Sequence, residues 1–284
     1  MTAELVQCPT CGVERDAASP PATVPTDAAS PPDVCPICAD ERQYVSPDGQ
    51  RWIAPDHDSR VDLTELEPGL WGLEVTGGVG IGQLAKVIAT ADGCVMYDVP
   101  AAITPEAVRA VRALGPMRAI IPSHPHMFGL QSLWSAALDD APVYVSEADL
   151  EWLGHRSDAV TPWRGILNPI PGVTASQPGG HFPGSSVVHW EGADGAGVLL
   201  AGDTIMVNPD RATVSFLRSY PNRLPLSAAV VERIAAHVTR YAFDRIYSNF
   251  SLRIDRDAAA AVQRSAQRHA RWVRGEFDHL TGPG

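Results

Sequence analysis

The sequence predicts an α/β protein. Short apolar runs that read as buried strands alternate with amphipathic helical stretches after an initial hairpin-like set, and polar residues of ligand type stand just past strand ends. The clearest case is Ala119-Ile120-Ile121-Pro122-Ser123-His124-Pro125-His126. Its apolar run is too short for a helix. Pro122 and Pro125 end it, because proline has no N–H for a sheet ladder. His124 and His126 then sit on the loop leaving the strand's C-terminal end. In an extended segment, residues two apart point the same way, so both imidazoles converge on one point.

The other elements follow in order. The stretch 69–75 (Gly-Leu-Trp-Gly-Leu-Glu-Val) reads as a strand, as do 84–89 and 93–98, the last ending in Asp98. Gly78, Gly80 and Gly82 lie between two strands. A dinucleotide fingerprint needs a strand, a turn and a helix, so these read as hairpin glycines. Thr104-Pro105-Glu106 opens a helix with an N-cap and a first-turn proline, and Gly115 stops it. A helix is expected around 130–138, a strand over 142–145 and a short helix from Ser146. The second half repeats the theme. A turn-rich loop over 179–185 carries His181. Strands at 187–190 and 198–201 follow, the second ending at Gly202-Asp203-Thr204. A helix over 227–241, a strand at 245–247 and a closing helix from about Asp255 complete the chain. Cys94 reads as a small buried apolar residue.

The first fifty residues hold two C-x-x-C knuckles, Cys8-Pro9-Thr10-Cys11 and Cys35-Pro36-Ile37-Cys38. Each aims two sulfurs at one point, and together they complete a tetrahedral four-sulfur site. Asp16-Ala17-Ala18-Ser19-Pro20-Pro21 nearly recurs as Asp27-Ala28-Ala29-Ser30-Pro31-Pro32, a flexible Pro/Ala-rich insert over 16–33. A metal clip tolerates it because closure entropy grows slowly with loop length. So small a module builds no core alone, and the metal would do the folding. The expected division is 1–52 as the metal ribbon and 57–284 as the main domain.

Totals narrow the function. The chain has 284 residues and a net charge of −11, which argues against nucleic acid and anionic membrane as partners. No apolar run is long enough for a transmembrane helix, and the acidic start is not a secretory signal, so a cytoplasmic location is expected. There, five cysteines point to metal or free thiols rather than disulfides. Basic residues are almost all arginine; Lys86 is the only lysine.

The H-x-H of His124 and His126, the G-H-x-P-G-S of Gly180 to Ser185 and the G-D-T of Gly202 to Thr204, in that order and at strand ends, resemble the metallo-β-lactamase fold superfamily over roughly 60–280. The knuckles resemble the zinc-ribbon and rubredoxin families. The first resemblance implies an αββα sandwich with metal at one edge of its two sheets. It implies that His124, His126 and His181 hold a metal, that Asp203 is a further ligand, and that Asp98 organises the loop behind them. The residue types agree, since three imidazoles and one carboxylate with a position left for water make a catalytic rather than a structural site.

The family's H-x-H-x-D-H pattern is broken here by Phe128 and Gly129, and the place of its late histidine reads Ser248-Asn249-Phe250. Ligands of a second metal are missing, so a single-ion centre of His124, His126, His181 and Asp203 is expected, with Asp203 also a candidate general base. Arg218 and Tyr220 are candidates for substrate contact, Arg218 by receiving an anion. The expected function is a mononuclear metal-dependent hydrolase of a small-molecule ester, thioester or lactone, with one zinc in the ribbon and one in the main site. Iron at either site would instead suit an oxidoreductase of the same fold. A main site without metal would leave a non-catalytic binding protein. Aromatics expected to be exposed, Trp152, Trp163 and Trp272, leave room for a homodimer.

Overall fold

The computed structural model describes residues 4–17 and 34–282. From Ala18 on, the expected insert lies outside the described residues; Asp16, its first residue, closes a strand. Strands β1 (Leu5–Gln7) and β2 (Glu14–Asp16) pair antiparallel, with the first knuckle in the turn between them. Gly12 closes that turn at φ 79°, a left-handed conformation that costs other residues energy. The second knuckle sits at the start of and within one helical turn, α1 (Pro36–Ala39).

Among the described residues, the first sheet has seven strands in sequence order: β3 (Arg60–Glu67), β4 (Leu70–Thr76), β5 (Leu84–Thr90), β6 (Gly93–Tyr97), β7 (Met117–Ile121), β8 (Val143–Ser146) and β9 (Val160–Trp163). Pairing is antiparallel up to β6 and parallel beyond it, because α2 (Pro105–Leu114) makes the β6–β7 crossover and α3 (Gln131–Ala137) the β7–β8 crossover. Thr104 caps α2 as expected, its side chain accepting from the Ala107 N–H. The segment after Ser146 is a 3-10 helix, Glu147–Trp152.

The second sheet takes β10 (Ile166–Ile170), β11 (Val173–Ser176), β12 (Val187–Trp190) and β13 (Val198–Gly202) as an antiparallel run. Two short pairs follow, β14 (Met206–Val207) with β15 (Val214–Ser215), and β16 (Leu217–Ser219) with β17 (Leu224–Pro225). After α4 (Ala228–Val238), β18 (Arg245–Ser248) joins β13 in parallel. Strand β19 (Arg253–Ile254) closes the edge and α5 (Ala258–Val273) follows.

Strand residues divide by parity into three cores. Val95, Tyr97, Ala119 and Ile121 face Val188, Val198 and Leu200 between the sheets. Cys94, Met96 and Ile120 turn outward onto α2 and α3, while Leu199 and Ala201 turn onto α4 and α5. The result is the four-layer αββα arrangement. The ribbon is built into it: Cys8, Cys11, Cys35 and Cys38 are buried in the same outer core as α2 and α3.

One expectation is corrected here. Trp152 and Trp163 are buried, the first edge-on to Phe182 and the second donating its indole N–H to the Tyr144 carbonyl; of the three, Trp272 is exposed. Strands β3 and β9 to β11 escaped the sequence reading. They lie at or near sheet edges and are half-polar or broken by proline, as at Pro162 and Pro169, and β10 carries a register shift.

Candidate metal centres

The ribbon sulfurs set the first geometry. Cys8 Sγ lies 3.7 Å from Cys38 Sγ, and Cys11 Sγ lies 3.8 Å from Cys35 Sγ. These spacings are far too long for disulfides. They match the edge of a tetrahedron with metal–sulfur bonds of about 2.3 Å, which is roughly 3.8 Å. Shared hydrogen bonds hold the Cys8 thiol well below its ordinary range and Cys11 well above it. Four sulfurs so placed could all ionise only around a cation, and these residues fit one.

The second cluster forms where the sheets meet. His124 continues β7 in extended conformation, but Pro125–Met127 is a 3-10 turn, so His126 does not reach the site by simple strand alternation. The rings converge nonetheless, their centroids 5.1 Å apart. Asp98, just past β6 at φ 65°, accepts from the Ser123 N–H at 2.8 Å and so ties the end of β6 to the histidine loop. His181 stands on the loop between β11 and β12, and Asp203 follows β13.

One donor atom from each of His124, His126, His181 and Asp203 lies within 4.8 Å of the others, and all four side chains are buried. Asp203 Oδ2 is 3.5 Å from His124 Nε2 and 3.9 Å from His181 Nε2, and His181 Nε2 is 3.5 Å from His126 Nδ1. Tetrahedral coordination at about 2.0–2.1 Å implies spacings of roughly 3.4 Å. Among the described residues, His124 Nε2 and Asp203 Oδ1 are buried without hydrogen-bond partners. Two of the outward nitrogens are held, His124 Nδ1 by Ser123 Oγ at 2.8 Å and His181 Nδ1 by the Leu217 carbonyl at 3.1 Å, whereas His126 Nε2 has no hydrogen-bond partner among the described residues. Such outer contacts aim the inner nitrogen at a metal.

The electrostatics suit a cation. Burial, with His124 close by, pushes His181 down to about 3, and burial holds His126 well below the ordinary imidazole range. Burial works against ionisation of Asp203, but the adjacent His124 and His181 prevail and hold it below the usual carboxylate range. Neutral imidazoles beside an ionised carboxylate are the forms that bind metal.

The places of the missing ligands are filled. Phe128 is buried in the outer core. Gly129 has φ 51°, and a Cβ there would lie 2.6 Å from the Val99 carbonyl oxygen and 2.8 Å from that of Pro100, so a histidine has no room. Asn249 donates to Met127 Sδ at 3.0 Å. Nearby, Lys86 is fully buried and donates to the Ser248 carbonyl at 2.6 Å. Burial pushes its ammonium down to about 8, against the pull of Asp98 and Asp203.

His126, His181 and Asp203 line a cavity of about 700 Å³. Tyr220 also lines it, its hydroxyl donating to the Asp203 carbonyl at 3.0 Å. Arg218 is not among the lining residues and pairs instead with Glu41 of the ribbon. The lining guanidiniums are Arg42 and Arg51, both from the ribbon. The sequence reading passed over Arg42, Lys86 and Asp149. Asp149 accepts from the Gly184 N–H at 2.9 Å and so braces the His181 loop; burial pushes it up to about 6. Only the fact that Lys86 is the sole lysine hinted at its place. The remaining histidines stay outside the cluster, His155 on Asp16 for example.

The fold and the two clusters define the class: a metallo-β-lactamase fold with a four-cysteine ribbon built into its outer layer. The DIM-1 metallo-β-lactamase superposes at TM-score 0.57 with 13% identity, over 75% of this chain and 98% of that one. FIM-1 from Pseudomonas aeruginosa superposes at 0.53 with 13% identity, over 76% and 99%. No family model matches the chain. It belongs to the family of the uncharacterized protein YmaE of Bacillus subtilis (strain 168), with 38% identity over 280 residues, 96% of this chain and 98% of YmaE.

Proposed function

We propose that the chain is a metal-dependent hydrolase of a small ester, thioester or lactone, with one zinc ion at the His124, His126, His181 and Asp203 cluster and another in the ribbon. The observation that carries it is the convergence of buried imidazole nitrogens and a carboxylate oxygen at an open cavity. An ion there would supply a water acidic enough to ionise near neutral pH and a Lewis acid for the scissile carbonyl. Asp203 Oδ1, which has no hydrogen-bond partner among the described residues, would orient that water and take its proton. Tyr220 fixes the Asp203 backbone, and the Arg42 and Arg51 guanidiniums favour a substrate bearing a carboxylate. A single ion is favoured by the crowding at Gly129. FIM-1, of the same fold, is known in a mono-zinc form.

The test is elemental analysis joined to a panel of neutral and carboxylate-bearing esters, thioesters and lactones. We expect two ions per chain, one lost in His124→Asn and the other in Cys38→Ser, with hydrolysis lost in His124→Asn. A zinc content unchanged by His124→Asn, or a zinc-loaded chain that cleaves nothing on the panel, overturns the reading. Redox-active iron in the purified chain would favour an oxidoreductase.

A further inference from the structure

Half of the residues lining the cavity belong to the ribbon, and one of them reaches past the wall to the metal cluster. Arg42 follows α1 closely. Its backbone N–H and Nη1 both bond to Asp40 Oδ1, at 2.9 and 2.7 Å, which fixes the turn leaving the second knuckle. Its carbonyl accepts from Ser219 Oγ at 3.1 Å. Its Nε donates to the backbone carbonyl of His181 at 2.7 Å. Its guanidinium carbon lies 4.0 Å from the centroid of the Phe182 ring, and that ring stacks on His124 at 5.6 Å and meets His126 edge-on at 5.0 Å.

One buried side chain thus grips the third histidine by its backbone and the other two through Phe182. An arginine can do this because its face stacks while its edge donates; a lysine has neither a plane nor a fork. The segment from Cys35 to Arg42 has no core of its own apart from the outer layer into which Cys35, Ile37 and Cys38 pack, and an ion drawing the four sulfurs together would fix its conformation. We propose that Arg42 is a positioning residue through which the ribbon's metal sets the metal affinity of the histidine cluster. With the ribbon ion in place, Arg42 holds His181 and Phe182 in register. Without it, the turn relaxes and the third imidazole loses its aim. The coupling rests on the single-ion reading above. It differs from that reading in predicting an affinity rather than an activity.

The test uses cobalt(II) titrated into the metal-free full chain in competition with a chelator. Thiolate-to-cobalt charge-transfer bands report the ribbon, and ligand-field bands without them report the histidine cluster. We expect Arg42→Lys to keep the ribbon's affinity and to weaken the cluster about 10–100-fold, the usual cost of losing an outer contact to a ligand. Cys38→Ser should lose the ribbon bands and weaken the cluster at least as much. Wild-type cluster affinity in Arg42→Lys overturns the proposal, and that variant decides the matter if Cys38→Ser does not fold. A purely structural role would lower the unfolding midpoint of Arg42→Lys while leaving the cluster's affinity unchanged, which also overturns it. Weakened binding in a chain that cleaves no ester leaves the coupling standing and sinks the hydrolase. Active hydrolysis with unweakened binding does the reverse.

Discussion

Glu14 offers a quantitative test of how the ribbon joins the sandwich. Its carboxylate is buried, 2% exposed, at the seam between β2 and α3. It accepts from the Ser132 N–H and from Ser132 Oγ, both at 2.8 Å, and burial outweighs these bonds and pushes it up to about 7 from an ordinary 4.5. The native state therefore keeps a proton that the unfolded chain has released between those values. The unfolded state binds fewer protons there, so stability falls as pH rises. The contribution is fully present below about 4.5 and is lost as pH climbs through 7. Integrated from pH 5 to 8, it amounts to about 2.5 kcal/mol. Glu14→Gln keeps both contacts, its oxygen accepting from the Ser132 N–H and its amide donating to Ser132 Oγ, but it cannot titrate. Urea unfolding of both proteins should show Glu14→Gln gaining about 2.5 kcal/mol on the wild type between pH 5 and 8. At a slope of about 3 kcal/mol per molar, that is a relative midpoint shift of roughly 0.8 M. A difference that stays flat with pH refutes the reasoning.

Three further outcomes are expected. Lys86→Met removes the cation that most favours the ionised form of the buried Asp98 and should cost about 3–5 kcal/mol in urea unfolding at pH 7; a loss under 1 kcal/mol would show that the charges do not interact. Gly129→Ala forces a Cβ against two carbonyl oxygens at a left-handed φ and should lower stability by at least about 2 kcal/mol, read as a fall in Tm of several degrees. Ser123→Ala removes the contact to His124 Nδ1 and should weaken metal binding at the histidine cluster about 10-fold or more by chelator competition, with the ribbon unaffected.

The chain's local chemistry determined much of this protein. Cysteine spacing alone assigns the four-sulfur cluster, because a tight turn must bring both sulfurs of a knuckle to one point. Continuous apolar runs ending in proline or Gly-Asp mark β7 and β13 and place His124, His126 and Asp203 at strand ends. What lay outside the sequence depends on contacts between distant segments. Nothing in the residues around Arg42 says that its guanidinium rests on Phe182, or that the ribbon walls the cavity, since the two segments lie far apart in the chain and meet only through tertiary packing. Arg218 looked free to receive an anion, and only packing reveals Glu41 beside it. Trp152 and Trp163 looked exposed because burial is a property of neighbours rather than of residue type. The edge strands β3, β9 and β10 carry little apolar periodicity, because much of their surface faces solvent, and β11 beside them is only four residues long. Short-range geometry is written into residue spacing, whereas the cavity wall, the buried charges and the coupling of the two centres arise from long-range packing.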